Sequence, residues 1–205
     1  RAVGSAIAEH PDSILLLDHA SEDGTRKRAK RAGGDAITIL DASRCRTLAA
    51  VREMGLSELT TPYGIWLDAD DEFIPGRTSR LLELIENEKS DLVFDEAELV
   101  DQDKRLKLKE LSFPPFLQEQ TVCRLFERSY LPFHCPAFRT DAVKRISYDP
   151  SFEACEDYDF ALRAISEGLR FSFSKTQGYR YTHSANSLSR NIEGNRRWIK
   201  KALEK

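Results

Sequence analysis

The chain has 205 residues, 40% hydrophobic and 32% charged, with a formal net charge of −3 at pH 7. That length supports one domain with a sizeable core, and the near-balanced charge gives no basis for nucleic-acid binding. No apolar run approaches the roughly 20 residues that cross a bilayer, so the expected setting is cytoplasmic, including peripheral placement at the inner face of a membrane.

Val3 and Ile7, four apart, predict a helix over residues 1–10, ended by His10-Pro11. Ser13 to Leu17 reads as a buried strand that runs into Asp18. Polar turn residues lead into a basic helix over Arg26 to Ala32, closed by Gly33-Gly34. A short strand over Ala36 to Leu40 and a helix over Thr47 to Leu59 follow. Next comes the apolar run Ile65-Trp66-Leu67, expected as a third strand. Helix and strand alternate throughout these first 75 residues, which argues for a parallel sheet with helices on its faces. Ligands in such sheets bind beyond the carboxyl ends of the strands, where Asp18 and Asp68 stand.

Pro75 introduces a helix over Arg77 to Asn87, striped by Leu81, Leu84 and Ile85. Leu92 to Phe94 reads as a strand, Asp101 to Lys104 as a turn, Arg105 to Lys109 as a half-exposed hairpin strand and Val122 to Phe126 as another strand. Cys155-Glu156-Asp157-Tyr158-Asp159 opens a helix that runs to Glu167 and stops at Gly168. Acidic residues in a first helical turn also complement the helix dipole without any further role. Leu169 to Ser174 alternates like an exposed strand, and the chain ends in a basic amphipathic helix carrying Trp198, Ile199, Ala202 and Leu203. The second half is thus less regular and more antiparallel.

The run Asp68-Ala69-Asp70-Asp71 carries the chemistry. At the end of an extended strand, Asp68 and Asp70 point the same way. Two such carboxylates repel unless something positive lies between them, and a hard divalent cation with oxygen ligands meets that demand. A calcium loop of the EF-hand type fails, because its sixth position is Phe73 and its twelfth Ser79. The four cysteines, Cys45, Cys123, Cys135 and Cys155, form no Cys-x-x-Cys pair, so reduced thiols are expected. His134-Cys135 has no partner at zinc-ligand spacing.

Four separated blocks resemble the family 2 glycosyltransferases of the GT-A fold. Leu15 to Thr25 looks like the family's strand-Asp-x-x-Ser-x-Asp-Gly-Thr block, and Ile65 to Asp71 like its Asp-x-Asp block. Glu156 to Arg163 followed by Gly168 looks like its Glu-Asp helix block, and Tyr179 to Ser187 like its closing Tyr-Arg-x-x-His-x-x-x-Ser block. The resemblance implies a GT-A-type, mostly parallel α/β sheet flanked by helices, with a mixed antiparallel acceptor-side region. It implies one domain over residues 1–205, with a nucleotide-sugar half (1–75) and an acceptor and catalytic-base half (76–205). Family members begin with a strand that this chain, as read, lacks.

The implied activity is inverting transfer of a sugar from a nucleotide-diphospho-sugar, UDP- or GDP-linked, to a hydroxyl acceptor such as a glycan or lipid-linked glycan in polysaccharide or glycoconjugate synthesis. A manganese or magnesium ion is the implied cofactor. By the same resemblance Asp157 is the general base, with Glu156 orienting it or the acceptor. Asp18, Asp23, Arg52 and Asp68 lie on the donor side, and Asp70 and His183 face the metal. Glu53 and His19 depart from the family pattern, Glu53 replacing an Asn and His19 an Asp or Asn. Two other readings compete. A phosphatase of the Asp-x-Asp type needs Thr or Val two residues after the second Asp, where Glu72 stands. A non-catalytic nucleotide-sugar-binding module of the same fold is the second.

Overall fold

The computed structural model describes residues 1–102, 106–111, 135–183 and 192–205. Its amino-terminal part alternates as the pattern predicts: α1 (Ala2–Ile7), β1 (Ile14–Asp18), α2 (Thr25–Gly33), β2 (Ile37–Asp41) and α3 (Leu48–Glu58). β1 and β2 pair in parallel, from Ile14 opposite Ile37 to Asp18 opposite Asp41, so both strands end on a carboxylate. Thr47 starts α3 by accepting a hydrogen bond on its hydroxyl from the Ala50 amide at 3.1 Å.

The remaining strands are β3 (Tyr63–Ile65), β4 (Glu72–Phe73), β5 (Leu92–Asp101), β6 (Lys107–Leu111), β7 (Ala137–Arg139) and β8 (Phe171–His183). They form a second sheet in the order β3-β7-β5-β8-β4, with β6 on β5. Its helices are α4 (Arg77–Glu88), α5 (Thr140–Ile146), α6 (Glu156–Ser166) and α7 (Ile192–Leu203). Leu92 and Phe94 of β5 join a core with Phe138, Phe152, Phe160 and Leu162, under α3, α5, α6 and α7. Val93 packs with Leu81 and Ile85 of α4. Alternate residues of one strand thus serve two helical layers.

The α/β architecture agrees with expectation, but the pairing is more mixed than alternation implies. β5 and β8 run parallel, whereas β3–β7, β5–β7, β5–β6 and β4–β8 are antiparallel. The third expected strand is displaced: it covers Tyr63–Ile65, and Trp66 to Asp71 leave the sheet. Trp66 turns inward instead of alternating, with its ring centroid 6.1 Å from both Phe138 and Tyr148. Asp68 and Asp70 therefore do not stand on an extended strand, and the expectation that strand periodicity points them the same way does not hold.

β5 continues to Asp101, well past the expected end at Phe94. Asp95 breaks the apolar pattern but is buried against fully buried Arg77, whose Nη2 donates to Asp95 Oδ1 at 2.8 Å and whose Nε donates to Oδ2 at 2.9 Å. Gly178 lets β8 pass over this ion pair, since a Cβ there would fall 1.9 Å from Asp95 Oδ2. The expected strand over Val122 to Phe126 lies outside the described residues. Among the described residues no helix is long and apolar enough to cross a membrane.

Candidate active site

Three elements converge on the Arg52 guanidinium. Arg52 projects from α3 and is 8% exposed. Its Nη2 donates to Asp68 Oδ1 at 3.0 Å and its Nε donates to Glu156 Oε1 at 3.3 Å. Its Cζ lies 5.5 Å from the centroid of the Trp66 ring. The loop after β3 and the first turn of α6 are thereby held to one cation. Gly55, one turn further along α3, keeps that helix close to β1 and to the loop after β3: a Cβ there would lie 2.6 Å from Leu17 Cδ1 and 3.1 Å from Trp66 Cη2.

Asp157 follows Glu156 at the start of α6 and is half-buried. Cys155 precedes them in the left-handed region, with φ 58°. For a residue with a Cβ that conformation is uncommon and stores strain. Loss of water pushes the Asp157 carboxyl well above the usual carboxylate range, the neighbouring Glu156 carboxylate adds to the shift, and Arg52 opposes it. A carboxyl tuned upward beside a cation, at an element's edge, suits a general base working near neutral pH.

Asp68 and Asp70 lie on the loop, with the Asp68 side chain 36% exposed and Asp70 exposed. Loss of water and the adjacent Asp68 charge raise the Asp70 carboxyl. Two accessible carboxylates that repel each other fit a hard divalent cation. Among the described residues no group of three or more His, Cys, Asp or Glu converges as a self-sufficient metal cage. An ion held here would complete its shell with ligand or solvent oxygens. His183 closes β8 opposite Asp101, one residue after Thr182, whose Oγ1 donates to the Asp70 carbonyl at 2.6 Å.

Asp18 and Asp23 lie at the end of β1 and in the turn that leads to α2. Asp18 ends β1 at 2% exposure and accepts a short hydrogen bond from Arg26 Nε. Hydrogen bonding from Ser21, and then from Arg26, holds its carboxyl below the usual range. Arg26 also lies 3.4 Å from Asp41, so it bridges the ends of β1 and β2. Asp23 Oδ1 accepts from the Thr25 amide at 3.1 Å and the Thr25 hydroxyl at 2.6 Å, which shapes the entry to α2.

The two departures from the family pattern have local partners. Glu53 Oε2 accepts from the Tyr148 amide at 2.6 Å, and His19 Nε2 lies 2.7 Å from the Cys45 carbonyl. Sequence reasoning assigned no role to Asp71, Tyr179 or Thr182, which the structure ties together. Tyr179 Oη donates to Asp71 Oδ2 at 2.7 Å, and the Thr182 amide donates to Oδ1 at 2.7 Å. The signal was the fourth residue of the Asp-Ala-Asp-Asp run, more acidic than the resemblance required.

The sequence profile of Glycosyl transferase family 2 matches residues 1–147. The chain belongs to glycosyl transferase family 2. Relatives of this family 2 chain include the succinoglycan biosynthesis proteins ExoU and ExoO of Rhizobium meliloti (strain 1021). ExoU is 27% identical over 92% of this chain and 59% of its own length. ExoO is 22% identical over 93% of this chain and 58% of its own. The crystal structure of S. aureus TarS 1-349 in complex with UDP-GlcNAc superposes with a TM-score of 0.74 at 15% identity, covering 98% of this chain and 61% of that one. That likeness is one of fold and agrees with the expected GT-A-like architecture. The chain spans less than two thirds of the length of each of these three proteins.

Proposed function

We propose that the domain transfers a sugar from a nucleotide-diphospho-sugar to a hydroxyl acceptor, with inversion at the anomeric carbon, in polysaccharide assembly. The observation that carries this reading is the Arg52 bridge, which brings the Asp68–Asp70 loop and the Glu156–Asp157 turn to one place. In this reading the acceptor oxygen attacks the anomeric carbon as its proton passes to Asp157. The bond to the diphosphate breaks, and a nucleoside diphosphate leaves. A positioned base of this kind contributes about 10²–10⁴-fold.

Glu156, neutralised by Arg52, orients the turn beneath Asp157. Asp70 and His183 would hold a divalent cation with Asp68 beside it, and such an ion stabilises the charge that develops on the leaving diphosphate. Asp18 and Asp23 would shape the nucleotide side, with residues 1–75 as the donor half and 76–205 as the acceptor half. Support for the donor class comes from TarS, which was crystallised with UDP and with UDP-GlcNAc. Support for the polymer comes from the succinoglycan relatives.

The engagement of Asp18 by Arg26 and the diversion of Glu53 to Tyr148 favour the second reading, a nucleotide-binding module without turnover. Calorimetric titration with UDP and GDP, with and without manganese, together with a donor-turnover assay, separates the two. Manganese-dependent binding abolished by Asp70→Ala, with turnover abolished by Asp157→Ala, supports the transferase. Binding without turnover in the parent supports the module. Failure to bind either nucleotide in a folded parent sinks both.

A further inference from the structure

Burial divides the acidic run. Asp68 and Asp70 are accessible, whereas Asp71 is 1% exposed. Its carboxylate is enclosed, and both oxygens are occupied by Tyr179 Oη and the Thr182 amide. The same two residues of β8 hold the main chain of the loop. The Asp68 amide donates to Tyr179 Oη at 3.4 Å, and Thr182 Oγ1 donates to the Asp70 carbonyl at 2.6 Å. The Asp71 amide donates to the Asp68 carbonyl at 3.1 Å and closes the turn. Each of the three aspartates is therefore tied to β8 or to its neighbour through atoms other than the exposed carboxylates.

The anchor is rigid. Tyr179 is 0% exposed, its ring lies 4.9 Å from the Arg77 guanidinium, and Cys135 Sγ lies 3.2 Å from its hydroxyl. Arg77 in turn is locked to Asp95. A hydroxyl in that setting has little freedom to follow a moving loop, so the loop takes its shape from the hydroxyl.

We infer that Asp71 and Tyr179 are positioning residues, whose buried carboxylate–phenol pair fixes the backbone of residues 68–70 and so sets where the Asp68 and Asp70 carboxylates point. This rests on the reading of Asp68 and Asp70 as donor-side groups. Neither Asp71 nor Tyr179 meets the ligand. They act by keeping two mutually repelling carboxylates in place before a cation arrives, which spares the binding step from ordering the loop.

The test uses the whole chain and two variants. Tyr179→Phe removes a single hydroxyl, and Asp71→Asn keeps an acceptor for the Thr182 amide. Amide hydrogen exchange of the ligand-free protein reads the loop directly, and titration of UDP with and without manganese reads its consequence. In Tyr179→Phe the amides of residues 68–71 should exchange about tenfold faster while those of β5 stay at the parental rate, because the hydroxyl's bonds to the Asp71 carboxylate and the Asp68 amide are lost together. The manganese-dependent gain in UDP affinity should fall by about the same factor, with metal-free binding unchanged and Asp71→Asn intermediate. Parental exchange in the loop overturns the inference, as does an acceleration shared equally by loop and β5, which marks general destabilisation. A parent with no manganese-dependent gain overturns the donor-side reading, and the exchange rates then still decide whether the pair fixes the loop.

Discussion

Arg52 and Glu156 stand 104 residues apart in the chain and meet through one hydrogen bond of 3.3 Å, with the Arg52 side chain 10% exposed and that of Glu156 8%. Asp68, on the other prong of the same guanidinium, is the more accessible partner. The Arg52 cation thus neutralises a buried carboxylate on one side and orients an accessible one on the other. Arg52→Met should lower stability by about 3 kcal/mol, because it leaves the Glu156 charge buried without its partner. Arg52→Lys keeps the charge but cannot span both carboxylates from one rigid fork, so it should recover stability better than activity. Urea melts beside turnover measurements check both, and equal recovery of the two by Lys would contradict the two-pronged role.

Asp157 gives a pH prediction with a definite sign. Its carboxyl is held above the ordinary carboxylate range, and only its ionised form can accept a proton. Activity should therefore fall as pH drops through that raised value, above the pH at which an ordinary carboxylate would limit it. Arg52 opposes the upward shift, so Arg52→Lys should leave the acid limb nearer its parental place than Arg52→Met, which moves it higher. Asp157→Asn should lower turnover by about 10²–10⁴-fold with nucleotide binding retained. A pH–rate profile of the parent and the Arg52 variants is the measurement.

Gly178 and Asp95 yield a packing prediction. A Cβ on Gly178 would meet Asp95 Oδ2 at 1.9 Å and Arg77 Cγ at 2.9 Å. Neither neighbour can move away, because their ion pair is buried and Arg77 is enclosed between the rings of Phe73 and Tyr179, at 4.7 and 4.9 Å. Gly178→Ala should destabilise the domain by about 3 kcal/mol, the scale of overpacking plus disturbance of a buried pair. The thermal midpoint and the loop exchange at residues 68–71 should fall and rise together, since Tyr179 adjoins the substituted position.

How much of this was legible follows from what each residue must satisfy. The amino-terminal alternation was readable because β1 carries a continuous apolar run, β2 a mostly apolar one broken by Thr38, and α3 its own cap in Thr47. The length of β5 was not, because Asp95 looks like the end of a strand until Arg77, 18 residues earlier in sequence, is known to lie against it. Trp66 read as a strand residue because its hydrophobicity says nothing about which way its ring turns. Glu156 and Asp157 could be read as helix-dipole partners, and only the Arg52 contact separates the two carboxylates into a neutralised one and a tuned one. Asp71 was hidden in plain composition: three aspartates in four positions look alike, and burial alone distinguishes the one that fixes the loop from the two it presents.

Asp18 supplies the complementary test in stability. Its carboxyl is held below its ordinary value of 3.8 by hydrogen bonds from Ser21 and Arg26. A depressed folded-state value means that the stabilisation is fully present above the unfolded value and is lost as pH falls through the lower, folded one. Asp18→Asn keeps the volume but not the charge, so it should weaken the hydrogen bond from Arg26, with a loss of about 1–2 kcal/mol at pH 7. The difference between parent and variant should begin to shrink below about pH 4, where the unfolded chain's carboxyl takes up its proton, and disappear once pH has passed through the lower folded value. Denaturant melts of both proteins at pH 7 and pH 3 read this directly. A gap that persists undiminished at pH 3 would show that the substitution acts through packing at the end of β1, not through the Asp18 charge.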